Sequence, residues 1–263
     1  MAKYSGRLTK PPIVYAICQI RFPTVGAVDE NRAGAIHSAL REQYPHRSPQ
    51  NIVELPMIAP GATPSPTLRQ AWFLYDRRKS SGYVIEPANF AYRTTAYVDF
   101  EHFVAEAMRG LRRTIDVLGP ALIDRVGLRF VDLIEGSSTA GLDRFLEPPL
   151  LGYKPQIEGF KPQINQQIVA GKTTQGDILF RYSRARHTAS VPADLMDPTI
   201  GGLRVPQPDQ ESAIIDIDHF KDNADLDPNP EALESFIRDL QGPMSTLFKD
   251  AVTTFACEQW NNK

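Results

Sequence analysis

Two acidic residues in the C-terminal half of the chain could hold a metal ion. Asp216 and Asp218 stand two residues apart in a segment, 213–220, that is otherwise mostly apolar. In a β-strand this spacing puts both carboxylates on one face, and such a pair can bind a divalent ion for phosphodiester hydrolysis. A third ligand would be needed, because the neighbouring His219 faces the opposite side of the strand. We favour the simpler interpretation that the isoleucines of the segment face the core and the acids face solvent or arginine.

Arginine residues supply the matching charges. Arg125 and Arg129 lie four residues apart, on one face of a second predicted strand. If that strand lies near Asp216 and Asp218, the groups form a network across the sheet, either as a structural brace or as the floor of an anion-binding groove. We favour the brace, since such pairs are frequent and their net effect is small. Further anion-binding candidates occur in two basic runs and are Arg77, Arg78, Arg181 and Arg184.

The two basic runs raise the question of nucleic-acid binding. Each lies at the end of a predicted strand, near tyrosines that could stack on unpaired bases, namely Tyr75, Tyr83, Tyr92 and Tyr182. However, 29 Lys and Arg residues stand against 31 Asp and Glu residues, so the formal charge is -2. Proteins that neutralise nucleic-acid phosphates usually carry a basic surplus. We therefore interpret the runs as solvated strand ends and do not favour nucleic acid as a partner.

The sequence has no signature of cofactor binding or covalent catalysis. The Gly-Lys-Thr triplet at 171–173 resembles a phosphate loop, but Gln166 occupies the position of the required glycine and a predicted strand follows instead of a helix. The five histidines and two cysteines have no zinc-ligand spacing. We expect Cys18 and Cys257 to be buried, reduced thiols. We expect no cofactor, apart from a divalent metal ion if the acidic pair forms a metal site.

The N-terminal half predicts a strand, a helix, a three-strand meander and a long helix. Residues 13–22 are apolar and β-branched between prolines, as is typical of a strand. Asp29 can cap the first helix, and Asp99 the second, which Gly119 terminates. The meander comprises residues 72–75, 83–85 and 90–97. Before it, a loop with a short strand at 52–55 contains Pro45, Pro49, Pro56, Pro60, Pro64 and Pro66.

The C-terminal half repeats this order of elements. A second proline-rich loop at 186–210 interrupts it, and a last helix begins at Asn229 and Pro230. Gly242 and Pro243 should kink that helix or divide it in two. The elements before it are a strand around 126–130, a short helix at 142–146, a hairpin of residues 164–169 and 178–182, and a strand at 213–220.

The recurring order suggests a duplicated architecture. Residues 100–104 in the first long helix share a local pattern with residues 233–237 in the second. We therefore predict an α+β fold of antiparallel sheets with long helices packed on one face, built as a tandem pseudo-duplication of a β-α-β-β-β-α unit. The halves would span residues 1–120 and 121–263, tightly packed or as one continuous domain.

Several segments together resemble a bacterial family. They are Pro-Pro at 11–12 leading to Ile-Arg-Phe at 20–22, Arg-Val-Gly-Leu-Arg-Phe at 125–130, Ile-Asp-Ile-Asp at 215–218 and a terminal helix closing on Trp260. In this order they resemble, almost end to end, a family described only as sporadically distributed and uncharacterised. The resemblance implies a prokaryotic cytosolic protein and carries over no activity or catalytic residue. The patchy occurrence of that family implies neighbourhoods of mobile or defence genes.

The sequence favours a non-catalytic protein that binds another macromolecule, above all another protein. An antitoxin, immunity or chaperone-like component of a bacterial defence or toxin operon fits this description. Two alternatives stay open: a metal-dependent phosphodiesterase or nuclease at Asp216 and Asp218, and a nucleotide or small-anion sensor in a groove between the halves. No apolar run approaches the ~20 residues that span a bilayer, so we expect a cytoplasmic protein without membrane contact. Exposed sheet edges would favour a homodimer.

Overall fold

Nine β-strands form one sheet in the computed structural model, which describes residues 6, 8–54, 67–137, 140–153, 155–160 and 162–261. The strands are β1 (Ile13–Arg21), β2 (His46–Glu54), β3 (Thr67–Tyr75), β4 (Ser81–Glu86), β5 (Asn89–Thr94), β6 (Ile123–Glu135), β7 (Ile164–Lys172), β8 (Asp177–Ala185) and β9 (Ser212–Leu226). Their order across the sheet is β2-β3-β4-β5-β1-β6-β9-β8-β7. All neighbouring strands pair antiparallel. The pairing of β1 with β6 joins strands of both predicted halves into one sheet.

Four α-helices accompany the sheet within the described ranges. They are α1 (Glu30–Leu40), α2 (Phe100–Leu118), α3 (Pro230–Ala251) and α4 (Thr254–Asn261). Asp29, Asp99 and Asn229 start the first three, each accepting a hydrogen bond of 2.7–2.9 Å from the backbone N–H three residues later. Gly119, at φ 59°, ends α2 in the left-handed conformation that glycine adopts without strain. The fold is therefore a mixed α+β fold with an antiparallel sheet, as predicted.

One large core holds the helices against the sheet. It combines alternate residues of the central strands with the apolar stripes of the helices, and each fully buried aliphatic side chain contributes roughly 1.5–3 kcal/mol to stability. Representative members are Cys18 and Ile20 from β1, Leu128 and Phe130 from β6, Phe103 and Leu111 from α2, and Leu233 and Ile237 from α3. Both cysteines are buried and free, as predicted.

A connecting segment covers part of the opposite face of the sheet. Residues 186–210, the second predicted proline-rich loop, contain a single 3-10 turn, Ala193–Leu195, and no strand. Val191 and Ile200 of this segment are buried against Val131 and Leu133 of β6. The side chains that point away from the helices at the centre of the sheet are therefore also shielded from water.

The structure corrects one prediction about proline and one of the two outcomes predicted for Pro243. Pro49 was expected in a loop but lies inside β2, opposite Trp72; β2 is an edge strand, which tolerates proline because one side of its backbone forms no ladder bonds. Helix α3 is not divided at Pro243, because Leu240 and Met244 on either side of it are both buried in the core. The prolines at 56, 60, 64 and 66 lie outside the described residues.

No helix in the described part of the chain is both long enough and apolar enough to cross a bilayer.

Gly110 tests the contact between α2 and the meander. A Cβ atom placed there would lie 2.3 Å from the ring of Tyr83, which is fully buried and has little room to move. We expect Gly110→Ala to lower the free energy of unfolding by about 1–3 kcal/mol, as overpacking does, although alanine is the better helix former. Urea denaturation of the variant measures the change.

Gly34 provides the matched control, since it also lies in a helix, α1. The nearest atom to its added Cβ is the Arg47 guanidinium at 3.0 Å, and a guanidinium can move aside. Gly34→Ala should therefore stabilise the protein by up to about 1 kcal/mol. Equal effects of the two substitutions would contradict the packing described here.

Candidate functional site

The sheet brings the predicted acids and arginines together on the face opposite the helices. In the register, Asp216 of β9 lies opposite Val131 of β6 and Arg181 of β8, while Asp218 lies opposite Arg129. The predicted proximity of Arg129 to the acidic pair is therefore present in the structure. These side chains share one face because residues two apart on a strand point the same way.

Asp216 is the centre of this cluster, and 1% of its surface is exposed. Arg129 binds its carboxylate in bidentate fashion, donating from Nε to Oδ1 at 2.7 Å and from Nη2 to Oδ2 at 2.8 Å. Arg181 donates from Nη1 to the same Oδ2 at 2.9 Å. Both carboxylate oxygens are thus taken by guanidinium groups, which is the arrangement that keeps a buried carboxylate charged.

Arg129 also ties the covering segment to the sheet. Its Nη1 donates to Oδ2 of Asp194, in the 3-10 turn Ala193–Leu195, at 2.5 Å. Burial opposes the charge of Arg129, but hydrogen bonds and attraction from Asp216 and Asp194 outweigh it and raise the pKa of the guanidinium. Burial would likewise raise the pKa of Asp194, but its bonds to Arg129 hold that pKa below the ordinary value. The ion pair is therefore formed at neutral pH.

Arg125 forms the outer end of the cluster. Its Nη1 donates to Asp222 at 2.7 Å, its Nη2 lies 4.0 Å from Asp218, and its guanidinium carbon lies 3.8 Å from the centroid of the Phe220 ring. Burial raises the pKa of Asp218 in spite of the opposing charge of Arg125.

These contacts decide what the acidic pair can do. Because both oxygens of Asp216 accept bonds from arginine, neither is left to coordinate a metal ion without breaking an ion pair. Among the described residues no three His, Cys, Asp or Glu side chains gather in a way that could hold a metal ion. The geometry therefore supports the bracing role for Arg125, Arg129, Asp216 and Asp218.

The remaining basic candidates lie elsewhere. Arg184 is fully engaged, since it donates to Glu211 at 2.7 Å and to Asp143 at 2.5 Å. Arg77 and Arg78 are exposed in the turn between β3 and β4. The four tyrosines that could have stacked on bases are all buried, with 0–3% of their surfaces exposed: Tyr75, Tyr83, Tyr92 and Tyr182. The stacking face considered for single-stranded nucleic acid is therefore not available.

A polar cavity of about 640 Å³ lies next to the β3–β4 turn. Arg78 and Lys79 from that turn line it together with His46 and Arg47 of β2, and the stretch 198–201 closes it. None of the described residues that line it is acidic. Arg47 also pairs with Glu30 at the start of α1. The cavity thus combines residues from both predicted halves around an excess of positive charge.

Arg93 and Asp132 are among the buried charged groups that the sequence analysis missed. Arg93 of β5 is buried beside Tyr75 and pairs with Asp197 of the covering segment. Asp132 of β6 lies on the helix side of the sheet, 3% exposed. The sequence does contain a signal that Asp132 would be buried. Val126, Leu128 and Phe130 occupy alternate positions of the strand, and Asp132 is the next residue on the same apolar face. Nothing in the sequence indicates that Arg93 would meet Asp197.

No protein-family model matches this chain, and no curated protein matches it. The resemblance to a sporadically distributed bacterial family therefore stays a prediction. What the protein does has to be argued from its own surfaces and cavities.

The bracing role of Asp216 predicts a large loss of stability on its removal. Asp216→Ala leaves Arg129, whose side chain is 11% exposed, without its main partner. We expect the free energy of unfolding to fall by about 3 kcal/mol, as for other broken buried ion pairs. Urea denaturation monitored by circular dichroism measures the change.

Asp222→Ala is the control, because it also removes an arginine partner but from a side chain that is 49% exposed. Its expected cost is about 0–1 kcal/mol. If Asp216→Ala cost no more than this, the cluster would not be a structural brace.

Proposed function

We propose that the protein is a non-catalytic binding protein that takes up an extended segment of a partner protein along strand β7. The observation that carries the proposal is the state of β7. Among the described strands it is the last of the sheet and pairs with β8 alone. Three of its apolar side chains are exposed beside the backbone edge that faces away from β8. Addition of a strand to such an edge is a common mode of peptide recognition.

The exposed fractions along β7 are high for apolar residues. Ile164 is 58% exposed, Ile168 71% and Val169 58%. The strand contains no proline and a single charged residue, Lys172. Natural proteins usually protect edge strands with charges, prolines or bulges, because an open edge pairs with other chains. An edge without this protection is therefore suited to a partner.

The opposite edge of the same sheet, strand β2, is protected against the addition of another strand. Strand β2 carries Pro49 within it and the basic residues His46 and Arg47 at its start. Arg47 is further fixed by its ion pair with Glu30. Proline has no backbone N–H to donate to an added strand, and a charged side chain would lose its hydration when a strand is added beside it. Strand β2 is therefore poorly suited to receive another strand. The contrast within one sheet supports β7 as the binding edge.

The chain leading into β7 enlarges the apolar surface. Tyr153 is 87% exposed, Ile157 63% and Phe160 49%. Exposed apolar side chains of this size that cluster in one stretch of the chain are typical of protein interaction sites. A partner segment would obtain its affinity from backbone hydrogen bonds to β7 and its specificity from contacts with these side chains.

The biological setting follows from the resemblance described above. An antitoxin, immunity or chaperone-like component of a bacterial defence or toxin operon needs a site that captures an exposed strand of another protein. We propose a cytoplasmic location on the same basis. In this setting the partner is encoded close to the gene for this chain.

The finer architecture supports the idea of two related halves. Strand β1 is followed by four strands, the last of which, β5, returns to pair with it; β6 is followed by three, the last of which, β9, returns likewise. A long helix then follows each return, α2 and α3. We propose that residues 1–120 and 121–263 arose by tandem duplication, with the helices on one face. In that case β7 would correspond to a strand of the first half that lies near the protected edge strand β2.

The test uses Ile168→Glu, which places a charge on the exposed edge without touching the core. We expect it to weaken binding of the partner by at least about tenfold, since the charge would be desolvated on strand addition. Products of genes flanking this one are coexpressed with the chain, and purified pairs are measured by isothermal titration calorimetry. Hydrogen exchange should show the backbone amides of β7 protected in the complex.

Val205→Glu is the control, since Val205 is equally exposed, at 72%, but lies in the covering segment outside β7. It should leave binding unchanged. Equal affinities for the two variants, or a complex without protection of β7, would refute the proposal. A homodimer that Ile168→Glu dissociates would instead assign the edge to self-association.

A second candidate function is favoured by the polar cavity beside the β3–β4 turn. Its described lining contains four basic or imidazole side chains and no acidic one, and although Arg47 is paired with Glu30, the lining is suited to a phosphate or carboxylate group. This cavity is the feature that supports the proposal of a nucleotide or small-anion sensor. The Arg78 and Lys79 side chains are exposed and can reach a ligand.

Equilibrium binding of ATP and inorganic phosphate checks this second function. The double variant Arg78→Gln and Lys79→Gln should weaken binding by at least about tenfold, because it removes two of the cations that face the ligand. Arg77→Gln is the control, since Arg77 lies in the same turn but does not line the cavity. Unchanged binding in the double variant would exclude the cavity as the site.

A further inference from the structure

A second cavity, of about 410 Å³, lies on the helix side of the sheet. It is enclosed by β6 and β9 below, the start of α2 on one side and the C-terminal part of α3 on the other. Its volume falls in the range of small-molecule sites. The walls are mainly apolar and aromatic, and the residues that define them are Tyr97, Phe100, Phe130, Met244 and Phe248.

Asp132 lines this cavity from the sheet. It is 3% exposed and lies between Phe130 and Ile134 on the face that is otherwise apolar. None of the described residues donates a hydrogen bond to its carboxyl group or forms an ion pair with it. A buried acid without a partner is unfavourable in a folded protein, so its presence calls for a partner from outside the chain.

The backbone is irregular at the same place. Ile13 of β1 lies opposite Asp132, and the register of the β1–β6 pair shifts between Ile13 and Tyr15. Ile13 itself lines the cavity. Bulges of this kind occur frequently beside binding sites, where they redirect a side chain.

The charges around Asp132 define its state in the empty protein. Burial raises the pKa of Asp132 well above its ordinary value, and repulsion from Asp216 on the neighbouring strand adds to the shift. From α2, Asp99 caps the helix and Glu101 pairs with Arg238 at 2.8 Å, and from α3 the cavity receives Lys249. Burial therefore favours the neutral form of this carboxyl group in the absence of a bound ligand.

We propose that this cavity binds an organic amine, with the ammonium group on Asp132 and an apolar or aromatic body against the surrounding rings. A carboxylate and an ammonium group form a strong, charge-assisted hydrogen bond in a site of low polarity. Aromatic rings add attraction to a nearby cation. On binding, Asp132 gives up its proton to the solvent and the ammonium group keeps its own.

The charge balance of the lining argues against an anionic ligand. Asp99, Glu101 and Asp132 line the cavity, and Lys249 is the single cation among the described lining residues. A metal ion is also disfavoured, because the described residues offer no group of three metal-binding side chains. An amine satisfies the carboxyl group of Asp132, which has no hydrogen-bond or ion-pair partner among the described residues.

Calorimetric titration with three matched probes tests the proposal: phenethylamine, 2-phenylethanol and 3-phenylpropanoate. We expect phenethylamine to bind at least about tenfold more tightly than the alcohol, and the carboxylate to bind weakest. Because binding releases one proton, the affinity for the amine should rise about tenfold per pH unit below the pKa of Asp132. The binding enthalpy should also vary with the ionisation enthalpy of the buffer.

Asp132→Asn is the decisive variant, because it keeps the shape and removes the charge. It should weaken phenethylamine binding by at least about tenfold and leave the alcohol unaffected. Asp222→Asn, on the other face of the sheet, should change neither. The proposal fails if the alcohol binds as tightly as the amine, if Asp132→Asn binds the amine like the wild type, or if the amine does not bind at millimolar concentration.

Thermal unfolding supplies a readout that does not depend on a ligand. The pKa of Asp132 is raised in the folded state, so the stability of the wild type falls as pH rises from about 4, where the unfolded chain begins to lose this proton. Asparagine has no such loss. Asp132→Asn should therefore melt above the wild type at about pH 7, and the difference should vanish near about pH 4. A variant that melts below the wild type at neutral pH would show that the carboxyl group already has a stabilising partner, which contradicts the proposal.

Discussion

The pairing of β1 with β6 is the constraint on which the rest of the structure depends. It joins the strands of the two halves into one sheet, since every other strand reaches the centre through β5 or β9. Residues distant in the chain, such as Ile17 and Arg129, lie opposite each other in this pair. A one-residue slip would turn the arginines of β6 into the helix core and expose its apolar residues. The apolar core on one face of the sheet and the arginine cluster on the other therefore both require this register of β1 and β6.

The continuous sheet also determines where ligands and partners can bind. A single open sheet has two edges, and here β2 is blunted by proline and basic residues while β7 is left open. The cavity above Asp132 lies between the start of α2 and the C-terminal part of α3, over β6 and β9.

Local patterns in the sequence were sufficient for most of the secondary structure. Alternation predicted β6 and the start of β9, and the caps Asp29, Asp99 and Asn229 predicted three helix starts, because these signals act over a few residues. Edge strand β2 was predicted only in part, as a short strand at 52–55, since Pro49 normally argues against a strand and only its position at the sheet edge permits it. Such a position is a property of the whole fold and cannot be inferred from neighbours in the chain.

The contacts of the charged groups likewise divide into those that follow from local strand patterns and those that depend on the whole fold. The proximity of Arg129 to Asp216 follows from strand patterns, whereas its bond to Asp194 depends on how a long irregular segment folds back. That covering segment has few buried apolar residues, and the ion pairs of Arg93 and Arg129 hold it on the sheet together with hydrogen bonds such as the one from Gly201 N–H to the Lys79 carbonyl. A segment held mainly by polar contacts is suited to open by itself while the sheet stays intact. Such an opening would expose to solvent the face of β6 and β9 that points away from the helices. Because salt weakens ion pairs, a higher salt concentration would make the opening more frequent.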